Sequence, residues 1–251
     1  MREQEYCIAN GDKNLYGVLY LPDETAEPRY PLVISSHGFG GSYVRNRDYA
    51  ERITGHGFAF YCFDFYGGSE DSKSGGSMKE MSVLTEAGDL ETVFNHLRMQ
   101  EMIDENRIWL WGNSQGGYVS TYVAGKYPDK IRGLVLLYPA YVIQDIAKNY
   151  SDSHKSLPEI VDHWETKVGR IYIEDALSVD IYAMMERFPR KVLIVHGDQD
   201  ELVPIRYSRE AVKFFPDADL HVLAGSGHGF EGAYRDKMKE LAEKYLLEER
   251  G

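Results

Sequence analysis

The sequence of 251 residues has few of the features that mark specialised classes of protein. It contains only two cysteines, Cys7 and Cys62, which belong to no metal-ligand or redox spacing, so we expect two buried free thiols. Lys and Arg total 28 against 40 Asp and Glu. Since no basic cluster occurs either, nucleic acid is not an expected partner.

Long apolar runs are also missing. Nowhere do about 18 uncharged apolar residues follow one another, and the first residues contain no apolar core of a signal peptide. The sequence has neither H-E-x-x-H nor a strand-linked dinucleotide fingerprint. We therefore expect a cytoplasmic protein with no cofactor, no metal and no membrane partner. A homodimer is compatible with the sequence.

What the chain does contain is an alternation of short apolar runs and longer amphipathic segments. Six runs rich in Val, Ile, Leu and Phe have the pattern of parallel strands covered on both faces: PLVISSHG, FAFYCFDF, RIWLWG, GLVLLYPA, KVLIVHG and ADLHVLAG. Helical patterns separate them, near residues 47–56, 81–100, 116–128, 204–215 and 233–249. The predicted class is α/β, a mostly parallel central sheet with helices on both faces. EYCIAN and LYGVLYLP around GDKN add a predicted N-terminal hairpin.

One segment interrupts this rhythm. Residues 141–188 contain many aromatic and acidic residues but no apolar strand of the same quality, and they lie between two core strands. We interpret residues 1–251 as a single domain in which residues 141–188, called the insert below, form a small cap.

The stretch WGNSQGGYV predicts a nucleophile. Ser114 follows the strand pattern RIWLWG and precedes a helix pattern, with Gly112 and Gly116 two residues to either side. A serine on so tight a strand-to-helix turn has a strained backbone, and glycines at these two positions avoid collisions with neighbouring elements. The pattern G-x-S-x-G in this context indicates a nucleophile elbow.

A serine hydroxyl needs a base, and the base needs a group that orients it. His228 in AGSGHGFEG is the best candidate base, because its small-residue loop follows the last strand pattern. The orienting carboxylate should lie in VLIVHGDQDELVP, where Asp198, Asp200 and Glu201 all follow a strand. Spacing alone does not separate these three acids.

The tetrahedral oxyanion needs backbone donors as well. One candidate is the N–H of Gln115, directly after the serine at the start of a helix. The second is the N–H of Phe39 in HGFGGSY, where glycines allow the backbone to turn its amides towards the site.

Together these motifs resemble the α/β-hydrolase fold family, in the chain order Ser, acid, His: HGFGG, GNSQGG, HGDQDELVP and GSGHGF. The resemblance covers nearly the whole chain. The family's acid motif, H-G-x-x-D with V-P shortly after it, favours Asp200. The hairpin, FDFYGGSEDS and the end of the insert are similar to small microbial cinnamoyl and feruloyl esterases. This resemblance implies a carboxylesterase for small aromatic or short-chain acyl esters, with Gln144, Asp145, Trp164 and Tyr172 binding the substrate.

Three alternatives stay open. A serine aminopeptidase or acylpeptide-type hydrolase would use the same three residues, and Glu174 and Asp175 in the insert could bind an amine. A thioesterase is the second, although no basic entrance for phosphates is evident. The third is a catalytically silent hydrolase fold that acts as a binding module.

Overall fold

The computed structural model describes residues 1–23, 28–164 and 166–250. In this part of the chain the strands are β1 (Arg2–Glu5), β2 (Ile8–Asn10), β3 (Lys13–Leu15), β4 (Gly17–Leu21), β5 (Tyr30–Ser36), β6 (Ala59–Phe63), β7 (Ile103–Asn113), β8 (Gly133–Leu137), β9 (Ile160–His163), β10 (Thr166–Gly169), β11 (Val192–Gly197) and β12 (Ala218–Leu223). The α-helices are α1 (Arg47–Thr54), α2 (Val83–Leu97), α3 (Gln115–Lys126), α4 (Ile143–Ser153), α5 (Ile171–Ser178), α6 (Ile181–Glu186), α7 (Arg206–Ala211) and α8 (Gly232–Glu248). No helix among these is long and apolar enough to cross a membrane.

Eight strands form the central sheet in the order β1-β4-β6-β5-β7-β8-β11-β12. The six strands predicted from apolar runs all run parallel to one another, and β4 joins β6 antiparallel. The predicted α/β class with a mostly parallel sheet is therefore confirmed. The strand order reverses between β5 and β7, and open α/β sheets bind ligands in the crevice outside the carboxyl ends at such a point.

Helices cover both faces of the sheet because the strand side chains alternate between two apolar clusters. In β7, Ile108 and Leu110 face the cluster that includes α2, α3 and the insert, whereas Trp109 and Trp111 face the cluster formed with α1 and α8. All four side chains are fully buried. A strand with apolar residues on both faces is stable only in this covered position.

An N-terminal hairpin is present as β2 and β3, which pair antiparallel around Gly11, a residue with φ 63°. The second predicted run, LYGVLYLP, mostly forms β4 instead, which pairs antiparallel with β1 and β6 in the central sheet. The structure shortens the predicted first strand, because Tyr6 and Cys7 lie between β1 and β2. The expectation of two buried thiols is wrong for Cys7, which is exposed, and holds for Cys62 in β6. A free thiol on a short connecting segment has no second layer to cover it.

Between β8 and β11 the chain forms α4, the two-stranded sheet of β9 and β10, α5 and α6. All of these elements fall within the insert. β9 and β10 pair only with each other, so this part of the chain adds no strand to the central sheet. The buried side chains of α5, Tyr172, Ile173 and Ala176, join the cluster on the α2 and α3 side. The insert is thus packed on the face of the sheet that carries α3.

Candidate active site

Ser114 lies on the turn between β7 and α3, at the carboxyl end of a central strand. Its backbone has φ 52° and ψ −117°, outside the allowed regions of ordinary L residues. Such a conformation costs on the order of 1–3 kcal/mol and persists only where the surroundings impose it. Here the amide of Ser114 donates to the carbonyl of Leu137 at 2.9 Å, which anchors the turn to the neighbouring strand β8.

The two glycines around Ser114 are required by the close approach of backbones. A Cβ atom on Gly112 would lie 2.3 Å from the carbonyl oxygen of Gly116, and one on Gly116 would lie 2.4 Å from the carbonyl oxygen of His37. Both distances are well inside van der Waals contact. This spacing of glycines is therefore a steric condition for placing a serine at this turn, as the sequence pattern indicates.

Two successive hydrogen bonds connect Ser114 through His228 to Asp200, and both partners are far from Ser114 in the sequence. Ser114 Oγ lies 3.1 Å from Nε2 of His228, and His228 Nδ1 lies 2.8 Å from Oδ2 of Asp200. A carboxylate can only accept, so Nδ1 carries the proton and Nε2 is free to accept from the serine hydroxyl. His228 comes from the loop between β12 and α8, and Asp200 from the loop after β11.

The carboxylate of Asp200 is completely buried and heavily hydrogen-bonded. Its Oδ1 accepts from the amides of Leu202 and Val203 at 3.0 and 2.8 Å. Burial raises the pKa of Asp200, but hydrogen bonds from His196, His228 and Val203 outweigh it and hold the pKa well below its usual value. The carboxylate therefore stays ionised at any pH at which the protein would work.

His196, at the end of β11, lies behind the carboxylate of Asp200. Its fully buried ring lies 3.2 Å from Asp200 Oδ2 through Nε2, which is also 2.8 Å from the carbonyl oxygen of Val203. Ser208 Oγ lies 2.7 Å from its Nδ1. His196 thus fixes the acid loop, and its position four residues before Asp200 in H-G-x-x-D was the available signal.

The other two acids of this loop point elsewhere. Asp198 Oδ1 accepts from the amide of Gly225 at 2.7 Å and from the side chain of Gln199 at 3.2 Å. Glu201 is exposed. The tertiary structure therefore brings Asp200, and not Asp198, to His228.

The loop after β5 passes directly beside Ser114. A Cβ atom on Gly38 would lie 3.1 Å from Cβ of Ser114, so the backbone of this loop faces the serine. His37 holds the loop from inside, because its Nε2 accepts from the amide of Phe65 at 3.1 Å and its Nδ1 lies 2.7 Å from the carbonyl oxygen of Gly38. Burial lowers the pKa of His37, which keeps this ring neutral.

The two residues expected to supply oxyanion donors come from different parts of the chain. Gln115 directly follows Ser114, and Phe39 lies in the loop after β5. Gln115 is the first residue of α3, where the helix dipole favours negative charge. Phe39 follows Gly38, and its ring makes edge contacts with the rings of His163, Trp164 and Tyr172, at centroid distances of 4.9, 5.2 and 6.0 Å. The loop after β5 is thereby in contact with the insert.

A cavity of about 310 Å³ lies over Ser114. Its lining residues are His37, Gly38, Phe39, Gly41, Arg45, Asn113, Ser114, Tyr138, Trp164, Leu202, His228 and Gly229. The cavity adjoins a wider one of about 900 Å³ that shares Phe39, Trp164 and Leu202 and continues to Glu70 and Met78. The small space beside Ser114 therefore opens into a larger one, as in a pocket that can hold a small molecule.

Of the four residues expected to bind substrate, only Trp164 lines the two cavities. Tyr172 lines neither of them, because its side chain is buried against the ring of Phe39. Gln144 and Asp145 are not among the lining residues: Gln144 donates to the carbonyl of Val179, and Asp145 accepts from the hydroxyl of Tyr207 at 2.6 Å.

Sequence reasoning did not anticipate several residues of the cavity wall, among them Tyr138, Arg45 and Leu202. Tyr138 directly follows β8 with φ 38°, and its ring lies 4.6 Å from that of His228. Arg45 and Leu202 also face the cavity. The position of Tyr138 at the carboxyl end of a central strand was a usable signal, whereas nothing in the sequence distinguishes Arg45 or Leu202.

A buried acid lies behind the turn. Glu86 of α2 is 1% exposed, and its Oε2 accepts from the side-chain amide of Gln115 at 2.9 Å. Burial and, to a smaller extent, the neighbouring carboxyl of Asp89 raise the pKa of Glu86 to about 8, although the hydrogen bond from Gln115 lowers it. Within the described residues its Oε1 has no hydrogen-bond partner. Glu86 is therefore protonated at neutral pH.

This raised pKa predicts a pH-dependent stability. Between the ordinary pKa of Glu and about 8, the unfolded chain releases a proton that the folded chain keeps, so Glu86 lowers the free energy of unfolding progressively as pH rises through this range. We expect Glu86→Gln to remove this loss. The Tm difference between variant and parent should grow by several degrees from pH 5 to 8 and level off above it, because 1 kcal/mol shifts Tm by about 2–4 °C at this size. Differential scanning calorimetry at fixed ionic strength measures it, and a constant difference would contradict a buried neutral Glu86.

Among the described residues, no group of three or more His, Cys, Asp and Glu side chains is arranged to hold a metal ion. Ser114, His228 and Asp200 have the geometry of a nucleophile, a base and the group that orients the base.

Comparison with known proteins places this chain in a family. The family model Hydrolase_4, described as "Serine aminopeptidase, S33", matches residues 27–174. The solved structure of Est1E from Butyrivibrio proteoclasticus with ferulic acid bound is similar with a TM-score of 0.88 and 25% identity, over 97% of this chain and 98% of that one.

Curated sequences are similar as well. A monoacylglycerol lipase of Mycolicibacterium smegmatis is 23% identical over 278 aligned positions, covering 98% of this chain and 94% of the lipase. A 2-hydroxymuconate semialdehyde hydrolase of Pseudomonas putida is 24% identical over 174 positions, or 55% of this chain, and the match spans only 61% of that enzyme. Since the family model covers more than half of the sequence, this chain belongs to the Hydrolase_4 family and is a serine hydrolase with the α/β-hydrolase fold.

Proposed function

We propose that this protein is a carboxylesterase that works through an acyl-enzyme on Ser114. The observation that carries the proposal is the pair of hydrogen bonds that runs from Ser114 through His228 to the buried carboxylate of Asp200. In this arrangement the imidazole removes the proton that makes the hydroxyl a poor nucleophile. The carboxylate keeps the ring in the required tautomer and stabilises the imidazolium that forms.

The proposed reaction has two halves. Ser114 Oγ attacks the ester carbonyl carbon while His228 Nε2 takes its proton, and the N–H groups of Phe39 and Gln115 bind the oxyanion of the tetrahedral intermediate. The intermediate collapses by breaking the bond to the alcohol oxygen, which takes the proton from His228. Water then attacks the acyl-enzyme with His228 as base, and a second collapse releases the carboxylic acid and restores the Ser114 hydroxyl.

The preferred substrates in this proposal are cinnamoyl or feruloyl esters, or short-chain acyl esters. Aromatic and apolar side chains surround the space beside Ser114, among them Tyr138, Trp164 and Leu202. Flat aromatic walls suit a phenolic acyl chain. The similar fold of Est1E with bound ferulic acid supports the same class. We further propose that the insert acts as a cap, since Trp164 on its β9–β10 turn brings an indole to the cavity.

A hydrolysis panel tests this proposal. It compares methyl ferulate and methyl p-coumarate with p-nitrophenyl acetate, butyrate and octanoate, and adds an aminoacyl p-nitroanilide. We expect the phenolic esters to give the highest kcat/KM. Turnover of aliphatic esters alone would remove the phenolic preference and leave a general esterase.

Trp164→Ala sharpens the same test. A contact between two aromatic rings contributes about 0.5–1.5 kcal/mol beyond the area that it buries. Loss of the indole should therefore lower kcat/KM for methyl ferulate about tenfold and leave kcat/KM for p-nitrophenyl acetate nearly unchanged. Tyr150→Ala is a matched control, because Tyr150 is an aromatic residue of the insert that stacks on His154 at 4.2 Å and lines none of the cavities described above. Equal losses in the two variants would show that Trp164 only packs the insert.

A serine aminopeptidase is the second candidate. The description of the matched family names this activity, and Glu70 and Asp71 line the wide cavity that adjoins Ser114, where they could bind a substrate ammonium group. The acids suggested by the sequence serve other purposes: Glu174 pairs with Arg170 at 3.3 Å, and Asp175 accepts from Ser82 Oγ. The test compares the parent with a Glu70→Gln, Asp71→Asn double variant. If the parent hydrolyses the aminoacyl anilide and the double variant does not, the aminopeptidase is favoured over the esterase.

A further inference from the structure

The side chain of Gln115 is held as firmly as its backbone. It is 1% exposed, its Nε2 donates to Glu86 Oε2 at 2.9 Å, and its Oε1 accepts from the hydroxyl of Tyr172 at 2.7 Å. The same Nε2 lies 3.5 Å from the sulfur of Met81. A buried amide whose donor and acceptor are both engaged has one rotamer available, and this rotamer restricts the peptide unit that it belongs to.

Glu86 holds this amide from the side of α2. The groups that face its carboxyl are the Gln115 amide, the Tyr172 ring and the carboxyl of Asp89. None of these is a cation, and burial keeps the acid protonated at neutral pH. Keeping this carboxyl neutral lowers the free energy of unfolding as pH rises. Its Oε2 nevertheless accepts the hydrogen bond of the Gln115 side-chain amide. The proposed chemistry at Ser114 gives Glu86 no other task.

Tyr172 contacts both residues whose amides would bind the oxyanion. Its hydroxyl reaches Gln115, and its ring lies against that of Phe39 at 6.0 Å. Tyr172 belongs to α5 of the insert. The insert is tied to the start of α2 as well, because Ser82, the N-cap of α2, donates to Asp175 of α5.

We propose that Glu86 and Tyr172 are positioning residues for the oxyanion hole, and that they make its geometry depend on how the insert docks on α2 and α3. The proposal rests on the esterase function proposed above. Glu86 holds Gln115 from α2, and Tyr172 holds Gln115 and Phe39 from the insert, so a shift of the insert moves both donors relative to Ser114. Misplacing catalytic groups by about 1 Å can cost on the order of 100-fold in rate.

The experiment uses two ketones with the same acyl chain. A trifluoromethyl ketone forms a hemiketal with Ser114 and needs the oxyanion donors, whereas the methyl ketone binds without that adduct. In Tyr172→Phe and Glu86→Leu we expect kcat/KM and affinity for the trifluoromethyl ketone to fall together, by about 10- to 100-fold, with the methyl ketone affinity retained. This parallel loss is expected because the donors bind the oxyanion and not the ground state. Glu86→Gln keeps a neutral acceptor and should recover most of the loss.

Tyr141→Phe is the matched control. Tyr141 is as buried as Tyr172 and hydrogen-bonds another residue of α3, Thr121, at 2.8 Å. It should leave both inhibitor affinities and kcat/KM within a few-fold of the parent. If Tyr172→Phe changes the trifluoromethyl ketone affinity no more than Tyr141→Phe, the positioning role is overturned.

Failure of the proposal and failure of the proposed function give different results. If Glu86→Leu does not fold, as judged by circular dichroism, Tyr172→Phe decides the question alone. An active parent enzyme that is labelled by a fluorophosphonate, combined with an unaffected Tyr172→Phe, refutes only the positioning role. A folded parent that is neither labelled nor active refutes the esterase function, and the positioning role with it.

Discussion

Ser114→Ala is expected to lower kcat for p-nitrophenyl butyrate by on the order of 10⁶, the size of effect seen when the nucleophile of subtilisin is removed. The reason is that no other hydroxyl lies within hydrogen-bond distance of His228 Nε2 in the described residues. Stability should change little, because among the described residues the lost oxygen is hydrogen-bonded only to His228. Initial rates at high enzyme concentration, with a thermal melt of the same sample, provide the measurement.

Ser120→Ala is the control for this variant. Ser120 lies on the same helix α3, is fully buried, and its Oγ has no hydrogen-bond partner among the described residues. It should keep the activity of the parent. A Ser114→Ala variant that retains most of its activity would remove Ser114 from the proposed mechanism.

Asp200→Asn is expected to have the second largest effect, a loss in kcat of up to about 10⁴. Oδ1 of Asp200 accepts from two backbone amides, so an asparagine should keep its oxygen there and turn its NH₂ towards His228. Nδ1 of His228 must then accept instead of donate. The proton moves to Nε2, which can no longer take the proton of Ser114.

Asp198→Asn is the comparison that decides between the two acids. Asp198 accepts from the amide of Gly225, and an asparagine oxygen can do the same. Activity should change by less than about threefold, as for most substitutions away from a site. Parallel kcat measurements of the two variants test the assignment, and a larger loss in Asp198→Asn would reverse it.

Most of the fold follows from the sequence pattern. The apolar runs have residues to bury on both faces, which only a strand covered by two helical layers can satisfy, and all six runs form parallel strands of the central sheet. The exposure of Cys7 was not predicted, because the apolar pattern does not show that the predicted first strand is interrupted at Tyr6 and Cys7.

The site was predictable where short-range sterics determine it. The glycines at 112 and 116 have a reason within a few residues of Ser114, namely the approach of one backbone to another. The acid loop was harder, since Asp198 and Asp200 are equivalent by spacing. They differ only in the partners that the fold supplies, His228 for one and Gly225 for the other.

By itself, the sequence determined the class of fold, the strand-to-helix turn at Ser114 and the loops in which a base and an acid had to lie. These features depend on periodicity and on contacts between near neighbours. The tertiary structure alone decided that Tyr138 faces the cavity, that Gln144 and Asp145 bond elsewhere, and that Glu86 and Tyr172 meet at Gln115. Those contacts join residues tens of positions apart on different elements, and only the packing of these elements against each other brings them together.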